Sequence, residues 1–349
     1  MERRAKLRHK RRVGSINSFD LLRLAAAVAV IFHHSRVLQG LSPITLGRLD
    51  FGSLGVGVFF VISGYLVTAS YGRSAGLGDY LRKRLLRIEP ALIACLLLTA
   101  LVFGAAATTL PLGEYFCSDQ VWLYVLRNAL LYPVTYDLPG VFAHNPYPAV
   151  VNGSLWSLRL EFTCYLGVAA LGAAGQLRRG VVAGLAIAAL AVFATLGWLR
   201  SDLAQGEVLR LTVLAAQFGF LFLAGAYLQL LGRPAPRWTL LSAVFLATPL
   251  WVLGLPALTI AVGELRGPRL PADVSYGLYI YAFPIQQMLA AAGMSSFALA
   301  TALTLPFAAA SWFLVERPAL RLKPRGPAGV VVAAPSQDLA QDLAPLSPP

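Results

Sequence analysis

Residues 19–35, FDLLRLAAAVAVIFHHS, set a charged pair and two histidines into an apolar run, and that combination decides how the rest of the chain is read. A charge at the centre of a bilayer costs at least ~2.5–3.5 kcal/mol on insertion scales, so such residues face a bundle interior or a watery cavity. At about 100° per residue, His34 returns to within roughly 20° of Arg23, Asp20 falls about 40° to the other side, and His33 lies roughly 80° off. The run is therefore expected to be a membrane helix with an inward polar stripe of Asp20, Arg23 and His34.

Composition agrees. The 349 residues are 57% hydrophobic and only 13% charged, with a mean hydropathy of +0.66, which excludes an ordinary soluble domain. The formal net charge of +13 sits in short clusters between apolar runs. These are residues 3–12, Arg73 to Arg87, Arg178/Arg179, Arg233/Arg237, Arg266/Arg269 and Arg317 to Arg325, a pattern that sets membrane orientation rather than one that binds nucleic acid. Cys95, Cys117 and Cys164 are odd in number and lack a CxxC, so neither a disulfide framework nor a metal site is indicated. MERRAKLRHKRR imitates the start of a secretory signal. Arg23 interrupts the run that follows and no A-x-A site appears, so a retained first span is expected.

Stretches approaching the ~20 residues a span needs are 19–38, 52–71, 87–108, 155–175, 180–199, 208–231, 273–292 and 296–316. The stretch 238–265, with Pro249, Gly254 and Pro256, reads as one kinked helix or as two short spans turning near 254–256. The positive-inside rule is satisfied if it is a hairpin and if 119–133 does not cross. The expected fold is then an all-α, polytopic membrane bundle of about ten transmembrane helices with both termini cytoplasmic. Alternatively, 119–133 crosses and 238–265 is a single helix, which would leave Arg178/Arg179 outside. In the hairpin reading 109–153 is an external loop, with VWLYVLRNALLYP on the outer interface. The chain divides into a basic cytoplasmic N-terminus (1–15), a membrane domain (16–322) and a Pro- and Ala-rich tail (323–349) expected to be disordered.

Several motifs carry chemistry. SLWSLRLEF (154–162) puts Glu161 about two turns into the membrane from outside, at a depth similar to His34, as a proton-transfer group or as a structural carboxylate paired with an arginine. LRKRLLRIEP (81–90) presents Arg84 and Arg87 on one helical face, as a phosphate grip or as a topology signal. In GSLGVGVFFVISGYL (52–66) the glycines read as close-packing positions around Ser63. ADVSYGLYIYAFPIQQ (272–287) aligns Ser275 and Tyr279 at i, i+4, as if to line a polar cavity, with Tyr276 beside them.

In order, these motifs are D-x-x-R with a His eleven residues after the Arg, FFVISGYL, R-x-x-R before Pro, SLWSL-x-x-E, SYGLYIYAFP and VERP. Together they resemble acyltransferase family 3 of integral membrane proteins, over about residues 16–322. The resemblance implies a ten-span enzyme of the bacterial cytoplasmic (inner) membrane. Its donor would be acyl-CoA, by default acetyl-CoA, and its acceptor a hydroxyl of an extracytoplasmic glycan or lipid-linked saccharide. It further implies that His34 and Glu161 belong to the catalytic centre with Arg23 and Trp156 supporting, Asp20 of the same D-x-x-R motif being counted with them, and that Arg84 and Arg87 hold the coenzyme's phosphates. Ser63 and Tyr279 would line the coenzyme's path, and Trp156, Ser275 and Tyr276 would serve the acceptor. Many members carry a histidine where this chain has Ala282, which removes one possible second imidazole. His34 is expected as general base or as acyl carrier. A secondary transporter or flippase for a lipid-linked or small polar substrate is the alternative class, since transporters also bury charges.

Overall fold

The computed structural model describes residues 18–199, 206–232, 237–268 and 270–323. Helix α1 (Phe19–Val37) buries Phe19, Ala26, Ala27, Val30 and Ile31. A two-residue hairpin, β1 (Thr45–Leu46) and β2 (Leu49–Asp50), returns the chain to α2 (Phe51–Gly72), whose first turn is capped by the Asp50 carboxylate accepting the Ser53 N–H. Small residues let α1 and α2 touch along their backbones, and a Cβ at Gly55 would stand 2.5 Å from the Ala26 carbonyl oxygen.

Helix α3 (Leu77–Ala107) follows. It relaxes into a π turn at Thr99–Gly104, where the Tyr115 hydroxyl donates to the Ala100 carbonyl at 2.7 Å. Next come two short helices, α4 (Leu112–Cys117) and α5 (Asp119–Ala129), then α6 (Leu155–Ala173), α7 (Arg179–Leu199) and α8 (Glu207–Leu231). A 3-10 helix (Arg237–Ala247) and α9 (Trp251–Gly263) form a tight hairpin, and α10 (Ser275–Ala291) and α11 (Phe297–Arg321) close the bundle.

Among the described residues five helices are long and apolar enough to cross a bilayer: α2, α3, α7, α8 and α11. Helices α1, α6 and α10 fall outside that set, and they are the ones that bring Arg23, Glu161 and the tyrosines inward. The fold is thus a mostly helical membrane bundle. At one end Ser18 donates its backbone N–H to the Gly263 carbonyl, Arg179 donates to the Leu230 carbonyl, and Arg87 meets Asp273 just before α10 and Glu316 near the end of α11. This is the basic end. At the far end the β1–β2 turn meets the end of the 3-10 helix, Gly47 lying so close that a Cβ would strike the Ala247 carbonyl.

Two expectations need correction, while the helix in 119–133 is too short to cross, as the hairpin reading expects. The break in 238–265 falls at 248–250, where Pro249 interrupts the chain and Thr248 Oγ1 accepts the Leu250 N–H, and not at 254–256. Pro256 lies inside α9. Segment 119–133 does not cross. Its helix α5 has 11 residues, about 16 Å at 1.5 Å per residue, half of a ~30 Å hydrocarbon core. The loop before α6 is not wholly external. Gln287 donates to the Tyr147 and Val150 carbonyls, and Asn152 donates to the Ile280 carbonyl, so residues 147–152 descend along α10. Irregular backbone survives at such depth only when protein surrounds it, and Val151, Asn152 and Ser154 are fully buried. The N-terminus 1–15 and all of the tail beyond Lys323 lie outside the described residues, as do Arg233 and Arg269.

Candidate active site

A cavity of about 330 Å³ occupies the basic half of the bundle. It is bounded by α1, α2, α3, α6, α10 and the end of α11. Five basic side chains line it, Arg23, Arg73, Arg84, Arg87 and Lys323, against one carboxylate, Glu161. Ser63, Ser275, Tyr276 and Tyr279 also line it, so most of the residues picked from the motifs converge on one space.

The two arginines of R-x-x-R are in different situations. Arg87 Nη2 meets the Asp273 carboxylate at 2.6 Å and its Nη1 lies 3.7 Å from Glu316, the glutamate of VERP, which is 2% exposed. Asp273 in turn accepts from Ser275 Oγ at 2.6 Å. Arg84 donates to Ser70 Oγ at 3.1 Å and stacks near the rings of Tyr80 and Tyr165, while its Nε is buried without a partner. Arg84 is therefore the arginine with donor capacity to spare. Lys323, just past α11, has its pKa lowered to about 8 by burial and by the charges of Arg84, Arg87, Lys83 and Arg23. Crowded cations in a partly dry space are an anion site by elementary electrostatics. In the sequence Arg73 and Lys323 stand only as members of topology clusters. Their convergence depends on helix ends that are distant in sequence.

Glu161 accepts hydrogen bonds from Ser63 Oγ and from the Tyr165 hydroxyl, the latter at 2.6 Å. FFVISGYL and SLWSL-x-x-E are thus joined by a side-chain contact. The expectation that Glu161 and His34 share a depth fails. His33, beside His34, packs on Gly52, whereas Glu161 is tied to Ser63, eleven residues or about 16 Å further along α2. The cause is the descending loop. By following α10 down to Ile280 before α6 begins, it lowers the whole of α6 toward the basic end.

Asp20, His34 and Trp156 do not line the cavity. Asp20 is at the surface, 53% exposed, with a loose 3.4 Å contact to Arg23. Trp156 packs on Phe218 of α8. His34 meets the edge of Phe283, with ring centroids 5.0 Å apart, and its Nδ1 is buried without a partner. Two rulers measure its separation from the cavity. Tyr279 lines the cavity and Phe283, one turn on, touches His34. Val56 lines it and Gly52, one turn back, touches His33. Each of these four-residue steps is about 6 Å along the helix. In the cavity wall Phe59 meets Tyr279 edge-on, and the Tyr279 hydroxyl hydrogen-bonds Ser157 Oγ at 2.5 Å.

An acyltransferase-domain family model matches residues 16–317. The chain is 31% identical to an O-acetyl transferase of Shigella phage Sf6, over 86% of this chain and 95% of that protein. It is 30% identical to nodulation protein 10 of Rhizobium leguminosarum bv. viciae, over 89% of this chain and 95% of that protein. A partial match, 29% identical over 44% of this chain and 38% of the other, is to acyltransferase MdmB of Streptomyces mycarofaciens. No solved structure matches significantly.

Proposed function

Because this chain belongs to acyltransferase family 3 and is a multi-pass membrane acyltransferase, we propose that it moves an acyl group, by default acetyl, from acyl-CoA in the cytoplasm to a carbohydrate hydroxyl on the other side of the membrane. The cationic cavity is the observation that carries this reading. Five basic side chains against one carboxylate, with a buried and unpartnered Arg84 Nε, suit the phosphates of a coenzyme. Acyl-CoA is too polar to cross a bilayer, so the basic end faces the cytoplasm, in keeping with the positive-inside rule. On this reading about ten segments traverse a bacterial inner membrane, counting the 3-10 helix and α9 separately, and both termini are cytoplasmic. The acceptor is an extracytoplasmic glycan or a lipid-linked saccharide. The family weighs against a transporter.

The division of labour follows from the geometry. Arg84, with Arg73 and Lys323, holds phosphate at the mouth. Arg87 is fixed by Asp273 and Glu316 and supplies field rather than a grip. Ser63, Glu161 and Tyr279 line the path of the pantetheine arm, and Ser157 with Tyr279 marks its outer end. His34, one turn further out, takes the proton of the acceptor hydroxyl as its oxygen attacks the acyl carbon. The thiolate that leaves is reprotonated by the imidazolium. For this to happen the thioester must pass between Phe59, Tyr279 and Phe283.

Membranes carrying the His34→Ala protein, supplied with radiolabelled acetyl-CoA, should label the glycan fraction more than ~100-fold more slowly while the purified variant binds coenzyme A as the unaltered protein does. Undiminished labelling would remove His34 from the reaction.

A further inference from the structure

His33 lies at the far end of α1, and its Nδ1 is 3.1 Å from Asp50 Oδ1, an ion-pairing contact whose angle falls short of a hydrogen bond. Asp50 is itself held rigidly. Its Oδ1 accepts the Ser53 N–H at 2.8 Å and its Oδ2 accepts from Ser53 Oγ at 2.7 Å. Gly52 makes room for the ring, since a Cβ there would stand 2.7 Å from His33 Cδ2. The His33 and His34 rings are 5.7 Å apart in an edge-to-face arrangement. Both partners of the pair remain partly open to the far end, His33 at 19% and Asp50 at 25% exposure. Glu161, the carboxylate expected to serve the histidines, is committed to Ser63 and Tyr165 about 16 Å away along α2.

We propose that Asp50 and His33 form the acceptor-side half of the acyl-transfer centre, with Asp50 as the positioning residue that orients His33 and balances the charge of the histidine pair. A helix cap alone would require only the Asp50–Ser53 contacts. It would require neither an imidazole at ion-pairing distance nor a glycine opposite that ring. The inference rests on the function proposed above. The acceptor hydroxyl, bound at His33, forms its new O–C bond to the acyl carbon while the C–S bond of the thioester breaks. Its proton passes to the imidazole pair and from there to the departing thiolate, so no other reactant is needed. While that proton is in transit the pair is cationic, and the Asp50 carboxylate stands 3.1 Å from His33 Nδ1 to balance it. A saccharide hydroxyl suits such a site, because a partly exposed carboxylate–imidazole pair offers a donor and acceptors together.

Asp50→Asn separates the two roles of Asp50. Asparagine caps a helix about as well as aspartate, so the α2 cap persists while the charge beside His33 is lost. With radiolabelled acetyl-CoA and the host membrane glycan fraction as acceptor, Asp50→Asn is expected to lower kcat at least ~30-fold, within the range general acid–base groups contribute. KM for acetyl-CoA and the melting temperature should stay as they were. His33→Gln should do the same, and the double variant should be no slower than either single one, as for residues acting as a unit. If Asp50→Asn transfers acetyl at the unaltered rate, Asp50 is a helix cap only and the inference is wrong. Failure of the underlying reading looks different: the unaltered protein itself would then label no glycan.

Discussion

Arg84 and Arg87 sit three residues apart on one helix and read identically in sequence, yet they face different neighbours. Arg87 is closed off by Asp273 and by the buried Glu316, while Arg84 leans on two tyrosine rings with an unused donor. Their substitutions should therefore fail differently. Arg84→Ala should fold normally and bind coenzyme A about 10–100-fold more weakly, the worth of about 1.4–2.8 kcal/mol in charge-assisted hydrogen bonding. Arg87→Ala strands buried carboxylates, a change that costs about 3–5 kcal/mol, so it should lower the melting temperature in detergent and the yield of folded protein. Equal loss of binding with equal stability would show that the two arginines share one job. The spacing revealed the pair. The difference between its members lies in α10 and α11, nearly two hundred residues or more away in sequence.

Helix α2 shows what FFVISGYL is for. Its serine faces Glu161 across the cavity, and the adjacent glycine faces α8, where a Cβ at Gly64 would come within 1.9 Å of the Phe222 carbonyl oxygen. Gly225 answers from α8, a Cβ there lying 2.2 Å from the Val61 carbonyl oxygen. The two backbones are in contact at this crossing, and lipid offers no hydrophobic force to restore a helix pair once it is pushed apart. Gly64→Ala should therefore destabilise the bundle and shift Ser63, lowering the melting temperature and transfer activity together, whereas Gly219→Ala on the same α8, with open space around it, should do neither. Close packing at the glycines was readable from composition. Which helix they pack against was not.

At the scale of the molecule, the basic end and the far end have different chemistry, and the reaction proposed here depends on which faces the cytoplasm. Cys117 is exposed on α4 at the far end, and Arg73 is exposed at the basic end. A membrane-impermeant maleimide should label Cys117 in intact cells, and Cys117→Ser should abolish that labelling. Arg73→Cys in the Cys117→Ser background should react only after the membrane is opened. Reversal of the two results would invert the topology and move the coenzyme site to the wrong side.

The sequence by itself determined the solvent this protein lives in, its helical class, its family and the identity of most of the polar cavity-lining residues, because hydropathy, charge clusters and local spacing are properties of neighbouring residues. Arg23, Ser63, Arg84, Glu161 and Tyr279 could be singled out without knowing where any of them lay in space. Only the tertiary structure decided depth and partnership. A loop that descends along α10 lowers α6, separates Glu161 from the histidines and gives it to Ser63. The same packing brings Asp50 to His33 and Glu316 to Arg87. The axial register of one helix against another is set by side chains meeting across long sequence distances, and a period counted along a single helix carries no information about it.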